Sequence, residues 1–322
     1  MNAKITAIGA YAPSNVITNH WFQDKIETND EWIITRTGIR ERRFAAENEF
    51  TSDLSISAVK NLFAENPELS VDGVDFIIVA TTSADQAMPN CASRVQDYFN
   101  LQGTGAIDIM AACGGFVYAL VLAKGLIASG THKKVLVIGA ETLSKFTDFS
   151  DRTSCILFGD GAGVALVEPS TEPRLLKTIT GTDGSHGKDL YLSQNNSLVN
   201  GEQIEANGKI HQNGKVVFKW AVQTMSQKIK ELLELNEMTL NDLDYIILHS
   251  ANMRIIEAVA SGINFPLEKM LASIEVYGNT SSASIPLAWD LAAKAGKIKR
   301  GNKLLLLGFG GGLTYAGAIV EF

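Results

Sequence analysis

One displacement recurs along this 322-residue chain and limits its fold more than any other feature. Val74-Asp75-Phe76-Ile77-Ile78-Val79 resembles Leu243-Asp244-Tyr245-Ile246-Ile247-Leu248, and Lys134-Val135-Leu136-Val137-Ile138-Gly139 resembles Lys303-Leu304-Leu305-Leu306-Leu307-Gly308; both pairs lie 169 positions apart. Two apolar segments that share one spacing mark a duplication, which has to be read before any single element. A third pair, Phe158-Gly159-Asp160-Gly161 and Phe309-Gly310-Gly311-Gly312, lies 151 positions apart. The first half therefore carries about 18 extra residues, within 143–157. Two copies of one unit are expected, residues 1–170 and residues 171–322.

The apolar pattern inside each copy alternates between two kinds of element. Short continuous runs at 74–80, 134–139, 244–248 and 303–307 read as strands buried on both faces. Gly114–Ser129 is apolar almost all the way round, which predicts a helix held between layers, and Ser282–Ala295 is its counterpart. Phe218, Val222, Met225, Ile229 and Leu232 predict an amphipathic helix over 216–236. Thr28-Asn29-Asp30-Glu31 reads as a capping box that opens a helix at Glu31-Trp32. The fold class that follows is α/β: two similar lobes face to face, stacked in five layers, αβαβα, around a pair of central helices.

Composition narrows the function. Hydrophobic residues at 46% and only 7 prolines describe a globular chain with material for two cores. A net charge of −7 argues against nucleic acid as the partner. No basic stretch leads into a long apolar run at the N-terminus, and the longest apolar candidate, Gly114 to Ala128, carries Lys124. Neither a secretory signal nor a membrane span is expected. Three cysteines and five histidines show no metal-ligand spacing, so free thiols in a reducing cytosol are the expectation.

Cys113 stands at the predicted start of the first central helix. A helix N-terminus favours an anion by ~1 to 2 kcal/mol, enough to bring an ordinary thiol from ~8.5 to about 7.5. Gly114 and Gly115 leave room beside the sulfur. The same position also suits an inert buried cysteine. His249 ends a strand, where α/β sheets gather ligands, although a lone histidine there also serves as a turn residue. Asn279, in Gly278-Asn279-Thr280, is by itself a turn or a helix cap. The duplication links all three. Cys113 maps onto Ser282, so Asn279 stands just ahead of the mirrored helix, and pseudo-two-fold symmetry turns both helix starts and His249 toward one cavity. The glycine runs 159–163 and 308–312 lack any phosphate-binding signature. They read either as tight strand connections or, through the Gly311 N–H beside the Cys113 N–H, as an oxyanion hole.

Taken together, Ala111-Ala112-Cys113-Gly114-Gly115-Phe116, His249-Ser250-Ala251-Asn252-Met253-Arg254, Gly278-Asn279-Thr280-Ser281 and Phe309-Gly310-Gly311-Gly312 resemble the 3-oxoacyl-[acyl-carrier-protein] synthase III family of the thiolase superfamily. The resemblance runs from Trp32-Ile33-Ile34-Thr35-Arg36-Thr37-Gly38-Ile39 to the last residue. It implies a thiolase-like duplicated five-layer fold, a homodimer, and a decarboxylating condensation of a short acyl-CoA primer with malonyl-acyl carrier protein that begins fatty-acid synthesis. Implied roles are Cys113 as nucleophile, His249 and Asn279 as donors to the malonyl thioester, and no metal or redox cofactor. Thiolases use a second cysteine in the C-terminal glycine run, where this chain has none, and hydroxymethylglutaryl-CoA synthases place a Glu where Thr82 stands. Acyl transfer or thioester hydrolysis without condensation is the competing reaction on the same fold, and a non-catalytic acyl-CoA binder is a third reading.

The resemblance extends to binding. It places the CoA adenine between Trp32 and Arg152, and Thr28, Arg36, Thr37, Gly214, Phe218, Ala251 and Asn252 along a tunnel. Lys215, Lys219 and Arg254 match a patch for the acidic carrier protein. Ser261 and Gly262 stand where two further basic residues are usual, and Ser250 where a Gln is usual. Met88 matches the residue that reaches across the dimer to floor the primer pocket. As a deformable Met rather than a Phe, it is expected to admit branched or slightly longer primers as well as acetyl.

Overall fold

The computed structural model describes residues 1–322 and contains two five-stranded sheets of the same topology. The first is built from β1 (Asn2–Tyr11), β2 (Phe76–Ala80), β3 (Gly105–Ile109), β4 (Val135–Thr142) and β5 (Asp160–Ser170), in the order β1-β5-β4-β2-β3. The second is built from β6 (Leu175–Gly181), β7 (Tyr245–Leu248), β8 (Met270–Leu271), β9 (Lys303–Gly310) and β10 (Thr314–Glu321), in the order β6-β10-β9-β7-β8. In each sheet the first three strands are antiparallel neighbours and the last three parallel.

The repeat is kept to the residue. Phe76 pairs with Val135 and Tyr245 with Leu304, so the 169-residue spacing is also the register of the parallel pairs. Asp75 accepts the Lys134 N–H at 3.0 Å, and Asp244 accepts the Lys303 N–H at 2.7 Å, closing the same strand entrance in both lobes. The 17 residues 143–159 join β4 to β5, whereas only 311–313 join β9 to β10. The insertion lies in the expected stretch but adds 14 residues rather than about 18, because Phe309 lies within β9 whereas Phe158 precedes β5.

Five layers follow from the pleat. Alternate residues of one strand face opposite sides, so Ile77 and Val79 pack outward against Leu54, Val59 and Leu62, while Ile78 packs inward with Phe116 and Leu120. The outer partners belong to the helix Thr51–Glu65. In the second sheet Leu305 and Leu307 pack outward and Leu304 and Leu306 inward. The inner layer consists of helices Gly115–Ala128 and Ser284–Lys294; the second outer layer consists of helices Gly214–Leu235 and Met253–Ile263. Apolar runs without alternation are therefore strands covered twice.

Three local expectations are corrected. Asn29, not Thr28, caps the helix Asp30–Thr37, because the Asn29 side chain accepts the Trp32 N–H. Each central helix is shorter than its apolar run, because a 3₁₀ turn precedes it: Ala112–Gly114 in one lobe and Ser281–Ala283 in the other. Both turns begin left-handed, with φ of 46° at Ala112 and 48° at Ser281, again 169 residues apart. The helix Gly214–Leu235 buries Val217, Ala221, Met225, Ile229, Leu232 and Leu233. Phe218 and Val222 lie at the edge of that stripe, only partly covered.

The lobes lock through reciprocal backbone contacts. A Cβ on Gly139 of β4 would lie 2.4 Å from the Ser282 carbonyl oxygen, and one on Gly308 of β9 would lie 2.8 Å from Gly114 Cα. Each helix start thus rests on the central strand of the opposite lobe. Gly139→Ala and Gly308→Ala are each expected to lower stability by about 1–3 kcal/mol, since the crowding atoms are backbone. Gly125→Ala, with nothing within 4 Å of the added methyl on an exposed helix face, is expected to raise it by about 0.5–1 kcal/mol. Thermal melts of the three variants check this.

Candidate active site

Cys113, His249 and Asn279 line one cavity of about 880 Å³, together with Trp32, Phe309 and Gly311. The thiol, the imidazole, the amide and the indole of the N-terminal region therefore share a single space. Eighteen of its 33 lining residues are hydrophobic, as suits an acyl chain.

Cys113 sits within the 3₁₀ turn at the head of the first central helix. Its backbone N–H is reachable because residue 310 is glycine: a Cβ there would lie 2.6 Å from Cys113 N. Gly311 lines the cavity next to that point. The expected lowering of the thiol is corrected. Burial pushes Cys113 up to about 12, with a hydrogen bond from Ser281 opposing and the nearby Glu141 carboxyl reinforcing the rise. Depth in the chamber outweighs the helix start.

His249 follows β7 and is 2% exposed. Its N–H donates to Leu307 O at 3.0 Å, its ring lies edge-on to Phe309 with centroids 5.2 Å apart, and Nδ1 is 2.7 Å from Ser284 Oγ. No protein atom bonds Nε2. Burial lowers the imidazole to about 3, so it is neutral at working pH. Asn279 is held by a parallel bridge to Phe158, with its N–H donating to Leu157 O at 2.8 Å and the Gly159 N–H donating to its O at 3.0 Å. The insertion in the first lobe thus fixes a site residue of the second. The Ser281 N–H donates to Asn279 Oδ1 at 2.9 Å, which identifies the oxygen and leaves the two Nδ2 hydrogens for the cavity.

Of the tunnel positions, Trp32, Arg36, Thr37, Gly214, Phe218, Ala251 and Asn252 line the cavity, as does Lys215. Thr28, Arg152, Lys219 and Arg254 lie outside its lining. Thr37 is committed to its own helix, donating to Ile33 O at 2.7 Å, and Asn252 caps the helix Met253–Ile263 while donating to Arg36 O at 3.2 Å. The Arg152 guanidinium rests on Trp32, 5.0 Å from the ring centroid, so no open slot separates them. An adenine between them requires the exposed arginine to swing out. Lys215, Lys219 and Arg254 are exposed around the mouth, with Arg254 5.9 Å over the Phe218 ring. Ser261 and Gly262 lie farther along that helix. Met88 is 82% exposed and does not reach this chain's own cavity.

Sequence reasoning missed Glu141, Ser284 and Met110. Glu141 is fully buried at the end of β4, where it accepts from Thr81, Thr82 and Ser83 and from Ser282 of the other lobe at 3.0 Å. Burial raises its carboxyl above the ordinary range, with the hydrogen bond from Ser83 the largest opposing effect. A carboxylate two residues past an apolar run that reads as a strand buried on both faces is the available signal. Ser284 and Met110 gave none, because only the folded chain brings them to His249 and the cavity.

The fold and its shared chamber are those of a class, an acyltransferase on a duplicated five-layer α/β scaffold. Residues 107–184 match the family described as 3-oxoacyl-[acyl-carrier-protein (ACP)] synthase III, and residues 233–322 match its C-terminal family. The chain is 52% identical to beta-ketoacyl-[acyl-carrier-protein] synthase III 2 of Bacillus subtilis, over 99% of this chain and 98% of that protein. The solved beta-ketoacyl-[acyl carrier protein] synthase III of Thermus thermophilus superposes with a TM-score of 0.95 at 42% identity, covering 99% of both chains. The corresponding structure from Aquifex aeolicus gives 0.92 at 41%, covering 100% of both. The chain belongs to the beta-ketoacyl-[acyl-carrier-protein] synthase III family. No helix is long and apolar enough to cross a membrane.

Two titrations check the electrostatics. In ligand-free protein, alkylation of Cys113 by iodoacetamide is expected to quicken about tenfold per pH unit from 7 to 9, because only the thiolate reacts. A plateau beginning near pH 8 would reveal a thiol lowered by the helix start instead. His249 is expected to show no NMR titration between pH 8 and 5. The unfolded chain takes up that proton below ~6.5, so this residue's contribution to stability falls as pH drops from there toward about 3.

Proposed function

We propose that the protein performs the initiating condensation of fatty-acid synthesis, joining a short acyl-CoA primer to malonyl-acyl carrier protein through an acyl-Cys113 intermediate. In the first half-reaction Cys113 sulfur attacks the primer thioester, the bond to the CoA sulfur breaks, and the thiol proton leaves with CoA. In the second, the malonyl carboxylate leaves as CO₂ and its bonding pair becomes an enolate. His249 Nε2–H and Asn279 Nδ2–H donate to the enolate oxygen where charge develops. The enolate carbon attacks the acyl carbonyl, whose oxyanion takes hydrogen bonds from Cys113 N–H and Gly311 N–H. The C–S bond then breaks, and Cys113 sulfur recovers the electron pair and takes a proton from solvent. Loss of CO₂ generates the carbanion, so the steps call on no strong base, metal or redox cofactor.

The observation that carries this reading is the pairing of one thiol with two donors that have no protein partner on the cavity side. A neutral His249 suits donation rather than base catalysis. Release of ¹⁴CO₂ from malonyl carrier protein with formation of a 3-oxoacyl product tests it. Cys113→Ala is expected to abolish acylation, and His249→Ala to acylate normally but lose about 10²–10³ in decarboxylation. Acylation followed by hydrolysis, with no CO₂ released, would assign the chain to thioester hydrolysis.

The reading includes a homodimer in a reducing cytosol. All three cysteines are unpaired. The edge strand β3 is half-exposed and ends beside Met110, 79% exposed, with Met88 also bare. Edges of this kind are pairing surfaces. Met88 of a second copy then floors the primer pocket. Sedimentation at micromolar concentration is expected to give twice the chain mass. Isobutyryl-CoA is expected to prime as acetyl-CoA does, and Met88→Phe to depress the branched primer selectively; activity on acetyl-CoA alone would reject this pocket.

A further inference from the structure

We infer that Ser284, through its hydroxyl, holds His249 in the tautomer that carries its proton on Nε2, and so aims the donor of the decarboxylation step into the cavity. This rests on the reaction proposed above and adds a positioning residue to it. Ser284 is the first residue of the second central helix and is fully buried. Its Oγ has two partners: the Ser250 N–H, which donates to it at 3.3 Å, and His249 Nδ1 at 2.7 Å.

Hydrogen-bond accounting selects the tautomer. A hydroxyl offers one hydrogen and two lone pairs. The Ser250 N–H takes one lone pair. If Nδ1–H also donated, both lone pairs would be used and the Ser284 hydrogen would lie buried with no acceptor. If Ser284 O–H donates to Nδ1 instead, every group is satisfied, and the imidazole proton stands on Nε2. The backbone that carries the imidazole is pinned beside this contact. The His249 N–H bonds Leu307 O, the Ala251 N–H bonds His249 O at 2.9 Å, and Phe309 closes one side.

The duplication shows that the contact is built into the fold and the chemistry added to it. The counterparts of His249 and Ser284 in the first lobe are Ala80 and Gly115. A Cβ on Gly115 would lie 2.9 Å from Ala80 Cβ. Both lobes press the helix start against the strand end, and only the second lobe places an imidazole and a hydroxyl there.

The experiment combines one readout that does not depend on the reaction with one that does. Long-range ¹H–¹⁵N correlation spectra of ¹⁵N-histidine-labelled protein report which nitrogen carries the proton, with the signal assigned by its absence in His249→Ala. The wild type is expected to show Nδ1 bare and Nε2 protonated at pH 7, and Ser284→Ala to shift toward a mixture. Ser284→Ala is expected to form acyl-Cys113 at the wild-type rate while decarboxylation of the malonyl thioester falls on the order of 10–100-fold, less than deleting the donor outright. Ser284→Thr, which keeps the hydroxyl, is expected to restore most of it. A proton on Nδ1 in the wild type overturns the inference whatever the enzyme catalyses, as does an unchanged tautomer in Ser284→Ala. Absence of ¹⁴CO₂ release from the wild type would instead defeat the proposed reaction and leave the spectra to decide the tautomer.

Discussion

The close approach of each central helix to the opposite lobe is the constraint on which the site depends. Gly139 lets Ser282 rest on β4, and Gly308 lets Gly114 rest on β9; no side chain fits at either crossing. These contacts bring the heads of two buried helices together at the ends of two sheets. Polar groups at helix heads need partners, and buried sheet ends cannot supply water. The shared chamber is where both needs are met, and where a ligand can meet them too.

Symmetry supplies the frame, and departures from symmetry supply the chemistry. Cys113 stands opposite Ser282, and Gly310 opposite Glu141. Where Cys113 lies, the strand carries a glycine whose missing side chain leaves room beside the Cys113 N–H; where Ser282 lies, the strand carries a carboxylate bound by hydroxyls of both lobes. Glu141 therefore ties the turn at 81–83 to the turn that presents Asn279. Asn279 itself stands opposite Met110, and both line the cavity. The insertion at 143–159 has no counterpart, yet it holds Asn279 through Leu157 and Gly159. One lobe thus supplies the sulfur and the clamp, and the other supplies the imidazole and the amide.

Much of this was legible beforehand. The spacing of 169 residues located the paired strands, the central helices and the convergence of Cys113, His249 and Asn279, because duplicated sequence preserves register. The cap lies one residue later than the Thr28 pattern predicts, since Thr28 and Asn29 are both good cap residues and only the backbone selects between them. A helix start is a local feature, and by itself it predicts an acidified thiol. The burial that overrides it is set by every element around the chamber. The contact of the exposed Arg152 guanidinium with the Trp32 face is likewise a matter of tertiary placement, since 120 residues separate the two in the chain.

The sequence by itself determined the duplicated α/β plan, the convergence of Cys113, His249 and Asn279 on one chamber, and the absence of a second cysteine in the C-terminal glycine run. Those are matters of order and spacing along the chain, which apolar periodicity and repetition record directly. The tertiary structure alone decided the protonation of Cys113 and His249, the burial of Glu141, and the meeting of His249 with Ser284 across 35 residues. Such properties belong to distances between segments remote in the chain, and no local pattern encodes how deeply a group is buried or which hydroxyl it meets there.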